Sequence, residues 1–417
     1  MPIASPHFRI IIVGGGIGGL ASAIALRAPD REIIVLEASQ MNKEVGAAIS
    51  IRAIDSLQPN AVKITKSWGI EDELKQGGGA VDSGVSPALF LPFKTSDYDA
   101  DRLCFHRVDL HECLKRLATD PSRPGNPATI RVASKVLSCD CDSGVVTLEN
   151  GETIRGDLIV GADGIHSKIR TSVLSKEMTA SPTGLSAYRL IIPKEKLLTI
   201  PHVSSMMTDR EPWTTMLLGR DCRVVMGPCR EQQLLSIVAL VPDKLMNEQA
   251  STSWTAQGSL EDLLKSFEDF PPWIKDTFKA CPDISLWQLR DMVSNQTPSA
   301  RANLVPTLHL GYLPPSMQDP LPTWYKGRTI LVGDAAHSML PLQGQGASQS
   351  IEDAEALGHF FRDVSIGTSG SPVTAEDVTG RLKELFEARY ERASLIQQYS
   401  RQAANPATEA GSNVITM

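Results

Sequence analysis

The residues with the clearest chemical content lie late in the chain. Gly333-Asp334-Ala335-Ala336-His337 is followed by Pro341 and by Gly344-Gln345-Gly346-Ala347. The apolar run Thr329-Ile330-Leu331-Val332 reads as a strand ending at the Gly-Asp pair, and a helix is expected from about Ala347 to Phe361. A carboxylate at a strand end, here Asp334, can accept hydrogen bonds from a polyol. A helix start at Gly346 and Ala347 offers free backbone N–H groups to phosphate or to another electron-rich oxygen. His337 has the titration range of a base, yet its place inside the strand–helix turn reads as structural.

A second constellation opens the chain. Gly14-Gly15-Gly16-Ile17-Gly18-Gly19 follows the strand Arg9 to Val13 and leads into a helix expected from Leu20 to Leu26. Gly14, Gly16 and Gly19 fill a G-x-G-x-x-G pattern: a tight turn, close backbone approach to a pyrophosphate, and close helix–strand packing. The next strand, Glu32 to Leu36, ends at Glu37, where an acid can meet ribose hydroxyls. Strand, loop, helix, strand and acid together indicate dinucleotide binding.

Two further segments connect these ends. Arg107-Val108-Asp109-Leu110, within Leu103 to Leu117, is expected to begin an amphipathic helix with Leu110, Leu114 and Leu117 among its apolar positions. Residues 130 to 160 alternate like strands, with Glu149-Asn150-Gly151 as a hairpin turn, and lead to Gly161-Ala162-Asp163-Gly164. Asp163 ends an apolar strand, where it can face a ligand or cap the next helix.

The three glycine–acid fingerprints stand in order, about 150 and 170 residues apart. The chain thereby resembles the single-component FAD-dependent aromatic hydroxylases, and among them the salicylate-hydroxylase-like monooxygenases of fungi. The resemblance runs from about Phe8 to Ala404. It implies an α/β fold: a Rossmann-like FAD-binding domain of the p-hydroxybenzoate-hydroxylase type, interleaved with an antiparallel-sheet substrate domain. It implies FAD as cofactor, NADPH (or NADH) as co-substrate, and molecular oxygen. It also implies a flavin C4a-hydroperoxide that hydroxylates a phenolic or other aromatic small molecule, in secondary metabolism. FAD contacts carried over are Gly14, Gly16, Glu37, Ala48, Arg107, Asp163, Asp334, Gly346 and Ala347, with Gly19 packing the helix. Arg189, in Ala187-Tyr188-Arg189-Leu190, matches a catalytic arginine that can hold a phenolate.

The elements that position these residues divide as follows. Residues 1–173 form the first part of the FAD-binding domain and 174–291 the substrate domain, to which 80–100 are candidates to contribute. Residues 292–317 are an insertion, 318–404 the second part of the FAD-binding domain with a C-terminal helix, and 405–417 a tail. That helix is expected over Arg389 to Gln402 with Leu395 and Tyr399 on one side.

Composition excludes several classes. With 41 basic and 48 acidic residues the net charge is −7, which gives no reason to expect nucleic acid or an anionic membrane as partner. No apolar stretch approaches the roughly 20 residues of a membrane span. Seven scattered cysteines without an export signal read as reduced thiols in a cytoplasmic protein, and Cys139-Asp140-Cys141 lacks the partner pair a metal site would need. Oligomeric state leaves no mark.

Two departures from the family pattern stand out. Gly227 precedes Pro228-Cys229-Arg230 where relatives often carry an aromatic residue. Met292 to Met317 and Ile51 to Ser56 interrupt continuous family segments, and read either as retained introns or as surface insertions. Rival readings are an epoxidase of a prenylated substrate and a non-catalytic FAD-fold paralogue. A flavin halogenase is not one of them, because no Trp-x-Trp spacing occurs.

Overall fold

A computed structural model describes residues 8–41, 54–69, 80–81, 103–178, 180–208, 215–219, 221–230, 232–245, 255–292, 320–364 and 373–403. The first module runs β1 (Phe8–Val13), α1 (Ile17–Ala25), β2 (Arg31–Leu36), β3 (Ile54–Leu57), α2 (Pro59–Ser67), β4 (Ala80–Val81), β5 (Leu103–His106) and α3 (Arg107–Thr119). It continues through β6 (Thr129–Arg131), β7 (Val136–Asp140), β8 (Val145–Leu148), β9 (Thr153–Arg155), β10 (Leu158–Gly161) and α4 (Lys168–Leu174). The second holds β11 (Ala180–Pro193), α5 (Lys194–Leu197), α6 (Pro201–Thr208), β12 (Thr215–Leu218), β13 (Arg223–Cys229) and β14 (Leu234–Pro242). It ends with β15 (Thr255–Gln257), α7 (Leu260–Ser266), α8 (Pro272–Lys279) and β16 (Ile284–Met292). The chain then returns through β17 (Tyr325–Lys326), β18 (Thr329–Leu331), α9 (Asp334–His337), α10 (Gly346–Phe360) and α11 (Ala375–Gln402).

The first sheet has the order β17-β18-β10-β1-β2-β6. Apart from the β17–β18 hairpin its pairs are parallel. Its central strands are continuous runs of β-branched and apolar residues because both faces are covered. One face buries Ile10, Ile12 and Val160 against α1, α3 and α10, and the other buries Ile11, Ile159 and Leu331 with Trp324 and the β7-β8-β9 sheet. The FAD-binding fold expected from the sequence is therefore present in its layers.

The second sheet is antiparallel, in the order β12-β13-β14-β11-β16-β15. Strand alternation gives it two faces. Tyr188, Leu190 and Ile192 point into a core with Phe267, Ile274 and Phe278 of the α7–α8 region. Ala187, Leu240 and Leu289 point the other way, onto Leu340 of the first module. The register of β11 against β16 shifts between Pro182 and Ser186, and Gly184 supplies the left-handed backbone there, with φ +82°.

The helix expected to begin at Arg107-Val108-Asp109-Leu110 does start at Arg107, and the Leu103–His106 segment before it is the strand β5, paired with β3 and β4. Several sequence expectations need correction. The C-terminal helix begins at Ala375, fourteen residues earlier than expected, under a capping box of Thr374 and Asp377. Leu395 is 41% exposed, and the buried side of that helix carries Arg389, Gln397 and Ser400, whose hydrogen bonds allow polar burial. Ala80–Val81 joins β5 and not the second sheet, and residues 82–100 lie outside the described residues. Of the stretch Ile51 to Ser56, the last three residues pair with His106, Phe105 and Cys104, while 51–53 and the insertion beyond Met292 lie outside the described residues.

Candidate active site

Each chemically loaded loop leaves the C-terminal end of a neighbouring parallel strand, so the sheet register brings the loops together. Val13 pairs with Leu36 on one side and Gly161 on the other, and Gly161 pairs with Leu331. The next residues continue the ladder: Gly14 N–H donates to Leu36 O (2.8 Å), Ala162 N–H to Val13 O (2.8 Å) and Val332 N–H to Gly161 O (3.0 Å). Gly14, Glu37, Asp163 and Asp334 therefore share one edge, the crevice where parallel sheets bind ligands.

Two of the helices rising from this edge begin without a side-chain cap. Gly16 before α1 and Gln345 before α10 give no capping hydrogen bond, so both helix starts present N–H groups to the crevice. A Cβ added at Gly16 or Gly346 meets nothing within 4 Å, so backbone there faces open space. Gly14 is the opposite case: at φ +105° an added Cβ would lie 2.3 Å from Ala162 O. An added Cβ at Gly19 would lie 1.9 Å from Gly14 O, which is the close packing expected of it.

Asp334 is exposed, whereas Gly333 before it and Ala335, Ala336 and His337 after it are buried. Such a carboxylate on an otherwise buried turn is placed for a ligand. Glu37 is tied to the first loop: Gly15 N–H donates to Oε2 (2.8 Å) and Ser39 N–H to Oε1 (2.7 Å). Each oxygen keeps a lone pair for a ribose hydroxyl.

Asp163 faces inward. Its Oδ1 accepts from the Ser167 hydroxyl (2.5 Å), and Oδ2 from Lys168 N–H (2.7 Å) and Ile169 N–H (3.2 Å). Loss of water contact pushes its carboxyl above the ordinary range, against the pull of these donors. The capping role foreseen as one alternative accounts for both oxygens, and Gly164 (φ +73°, nothing within 4 Å of an added Cβ) is the open part of this motif. Arg107 stands half-buried in the first turn of α3. Ala48 lies outside the described residues.

Arg189 lies on the face of β11 that also carries Ala187, the face turned toward Leu340. Its guanidinium sits 4.9 Å from the ring centre of Trp287 on β16. It thus lies on the Leu340 side of the sheet and not on the side of the α7–α8 core.

Sequence reasoning missed the residues that hold this edge rigid. His111 Nε2 hydrogen-bonds Gly15 O (2.8 Å) from the buried side of α3, and burial holds its pKa below the ordinary histidine value despite that contact. The buried Arg170 guanidinium donates to Ala335 O (3.1 Å), Asp334 O (3.5 Å) and Ile165 O, joining the Asp163 and Asp334 turns. Fully buried Asp353 accepts from Gly333 N–H (2.9 Å) and His337 Nε2 (2.7 Å) through Oδ2, and from Arg389 Nε (3.0 Å) through Oδ1. Burial acts to raise the Asp353 carboxyl, but His337, Arg389 and the hydrogen bonds outweigh it and hold it at about 2. His337 is thereby structural, as its position in the turn indicated. Arg230 pairs with Asp109 in bidentate fashion (2.7 and 2.9 Å), fastening the end of β13 to the first turn of α3.

Such an edge beside a second, antiparallel sheet is the layout of a dinucleotide-binding protein with an added domain. The family described as FAD binding domain matches residues 7–269 and 317–375, and the chain belongs to it. FAD is its cofactor, and it is an FAD-dependent monooxygenase. It is 30% identical to the FAD-dependent monooxygenase cfoG of Aspergillus candidus over 419 residues, 96% of this chain and 86% of that one. Hispidin-3-hydroxylase of Neonothopanus nambi is also 30% identical, over 93% of this chain and 86% of its own. Among solved structures, a salicylate hydroxylase substrate complex superposes with a TM-score of 0.70 at 24% identity, covering 98% of this chain and 92% of that one, which shows the shared fold. Among the described residues no helix is long and apolar enough to cross a membrane, and no cluster of metal-binding side chains occurs.

Proposed function

We propose that this chain uses FAD, NADPH (or NADH) and O2 to hydroxylate a phenolic aromatic small molecule. In the balance, one oxygen atom enters the ring, the other leaves as water, and the nicotinamide supplies two electrons. The observation that carries the reading is Arg189, a cation on the sheet face turned toward the flavin-side loop, backed by the Trp287 indole.

The chain's own residues divide the work. Gly16 and the start of α1 would receive the pyrophosphate, Glu37 the adenosine ribose, and Asp334 the ribitol. Gly346 and Ala347 would offer N–H groups to the pyrimidine edge of the flavin, and Arg107 would contact the flavin from α3. Bound flavin supplies the redox and oxygen chemistry, and the protein orients it and excludes water. Arg189 would hold the phenol as phenolate, raising electron density in the ring where oxygen is delivered. Cys113, Cys139, Cys141, Cys222, Cys229 and Cys281 are free thiols, and a cytoplasmic setting remains part of this proposal.

The test is direct. Purified protein should be yellow, bleach with NADPH and recover its colour in air. A panel of phenolic acids should include members that stimulate NADPH oxidation and gain one oxygen by mass spectrometry. Arg189→Met should lower kcat/KM for such a substrate at least ~100-fold, in keeping with loss of a charge-stabilising group. Protein that cannot be loaded with FAD would overturn the reading.

A further inference from the structure

The sheet register extends the environment of Arg189 across four strands. Arg189 pairs with Val238 on β14, Val238 with Val225 on β13, and Val225 with Met216 on the edge strand β12. Residues directly opposite one another share a face, so one row reads cation, valine, valine, methionine. The neighbouring row runs Trp287, Ala187, Leu240, Arg223 and Leu218.

The two rows end differently from their middle. Ala187 and Leu240 are buried with Leu340, Val238 packs against the same cluster while staying partly exposed, and the Arg223 guanidinium donates to Ala403 O at the end of α11. On the far side, Arg230 closes onto Asp109. Between these two fastenings β13 is seven residues long, ~23 Å at the usual strand rise, and it carries Val225 and side-chain-free Gly227. At the strand edge Met216 is 39% and Leu218 50% exposed. Both are large apolar side chains on the cation-bearing face, so the row that starts at Arg189 ends on apolar surface.

We infer that the substrate is amphiphilic, with an acidic ring at Arg189 and Trp287 continued by an apolar arm along Val238, Val225 and Met216 toward the β12 edge. The inference rests on the reading of Arg189 as the phenolate-binding cation and adds a shape to the substrate class. Charge complementarity fixes the ring end and the apolar row fixes the direction of the arm. Three strand spacings set its length, ~14 Å. Gly227 fits the same picture, because a ring there would narrow the face beside the row.

The experiment titrates FAD-loaded protein with 4-alkylphenols from methyl to octyl, reading perturbation of the flavin absorbance. Affinity should rise about threefold to fourfold per methylene, the gain expected for burying each one. Met216→Glu, at an exposed position where substitution leaves the melting temperature unchanged, should weaken the octyl member at least ~10-fold by placing a charge beside the chain. Equal affinity for the methyl and octyl members, with the methyl member still bound, would overturn the arm and leave the phenol reading standing. A steep series that Met216→Glu does not flatten would overturn the placement along β12. If no alkylphenol perturbs the flavin, the phenol reading falls and takes the arm with it.

Discussion

Replacing Asp353 with asparagine should cost about 2.5–3 kcal/mol of stability at pH 7, and two routes give that magnitude. A carboxyl held at about 2 instead of 3.8 prefers its charged form in the fold by ~2.5 kcal/mol. Independently, removing one member of a buried ion pair costs ~3–5 kcal/mol. The lower end applies, because Arg389 keeps Glu352 and the Gln349 side chain as partners. Asparagine matches the shape but offers one acceptor where the carboxylate serves three donors, so its NH2 must face a donor. The Gly333 N–H is one of those donors, so the turn that presents Asp334 should loosen and FAD affinity should fall ~10-fold, equivalent to one weakened hydrogen bond.

The pH dependence separates this account from a packing defect. The folded carboxyl lies below its unfolded value, so its contribution is complete above about pH 3.8 and is lost as pH falls through about 2. Urea unfolding of the apoprotein, wild type against Asp353→Asn, should therefore show a gap that shrinks to roughly half at pH 3. A gap below ~0.5 kcal/mol at pH 7, or one that does not narrow on acidification, would refute the reasoning. The double variant Asp353→Asn/Arg389→Met should lose less than the sum of the two single variants, because the Asp353–Arg389 contact is counted in both.

The two glycines of the first loop should fail differently. Gly14→Ala forces a Cβ to 2.3 Å from Ala162 O at positive φ and should cost upward of ~2 kcal/mol, seen in the melting temperature of the apoprotein. Gly16→Ala should melt like wild type yet bind FAD ~100-fold more weakly in fluorescence titration, because its Cβ occupies open space meant for the pyrophosphate. His111, held neutral by burial, contributes stability above about pH 6.5 that is lost as pH falls through its lower folded value. His111→Gln keeps a donor for Gly15 O and should flatten the melting temperature between pH 7.5 and 5, and an unchanged slope would count against this. Arg189→Lys should restore only a small part of the kcat/KM lost in Arg189→Met, because an ammonium lacks the planar surface that stacks on Trp287.

Local features of the chain fixed where the ligand-facing loops begin. A run such as Ile10-Ile11-Ile12-Val13 must be a doubly covered strand, and only glycine serves at Gly14, whose φ is +105°. Those demands act within a few residues, so periodicity and residue type reveal them. The strand form of Leu103–His106, just before α3, was not legible because it comes from partners about fifty and twenty residues away. The inner side of α11 mixes Leu382, Leu385 and Ile396 with Arg389, Gln397 and Ser400, and helical periodicity reveals only the apolar part of it.

Partners were another matter. Nothing within reach of Asp353 in sequence announces that Arg389 and His337 will close around it. Nor does the strand pattern of Ala187 to Leu190 say which face looks at the flavin side or that Trp287 lies beneath Arg189. The sequence by itself determined the backbone exits, the family and the cofactor, because turn geometry and strand ends are short-range requirements. Which charges are used up internally and which remain for a ligand was decided by the tertiary structure, because burial and pairing depend on segments brought together from across the chain.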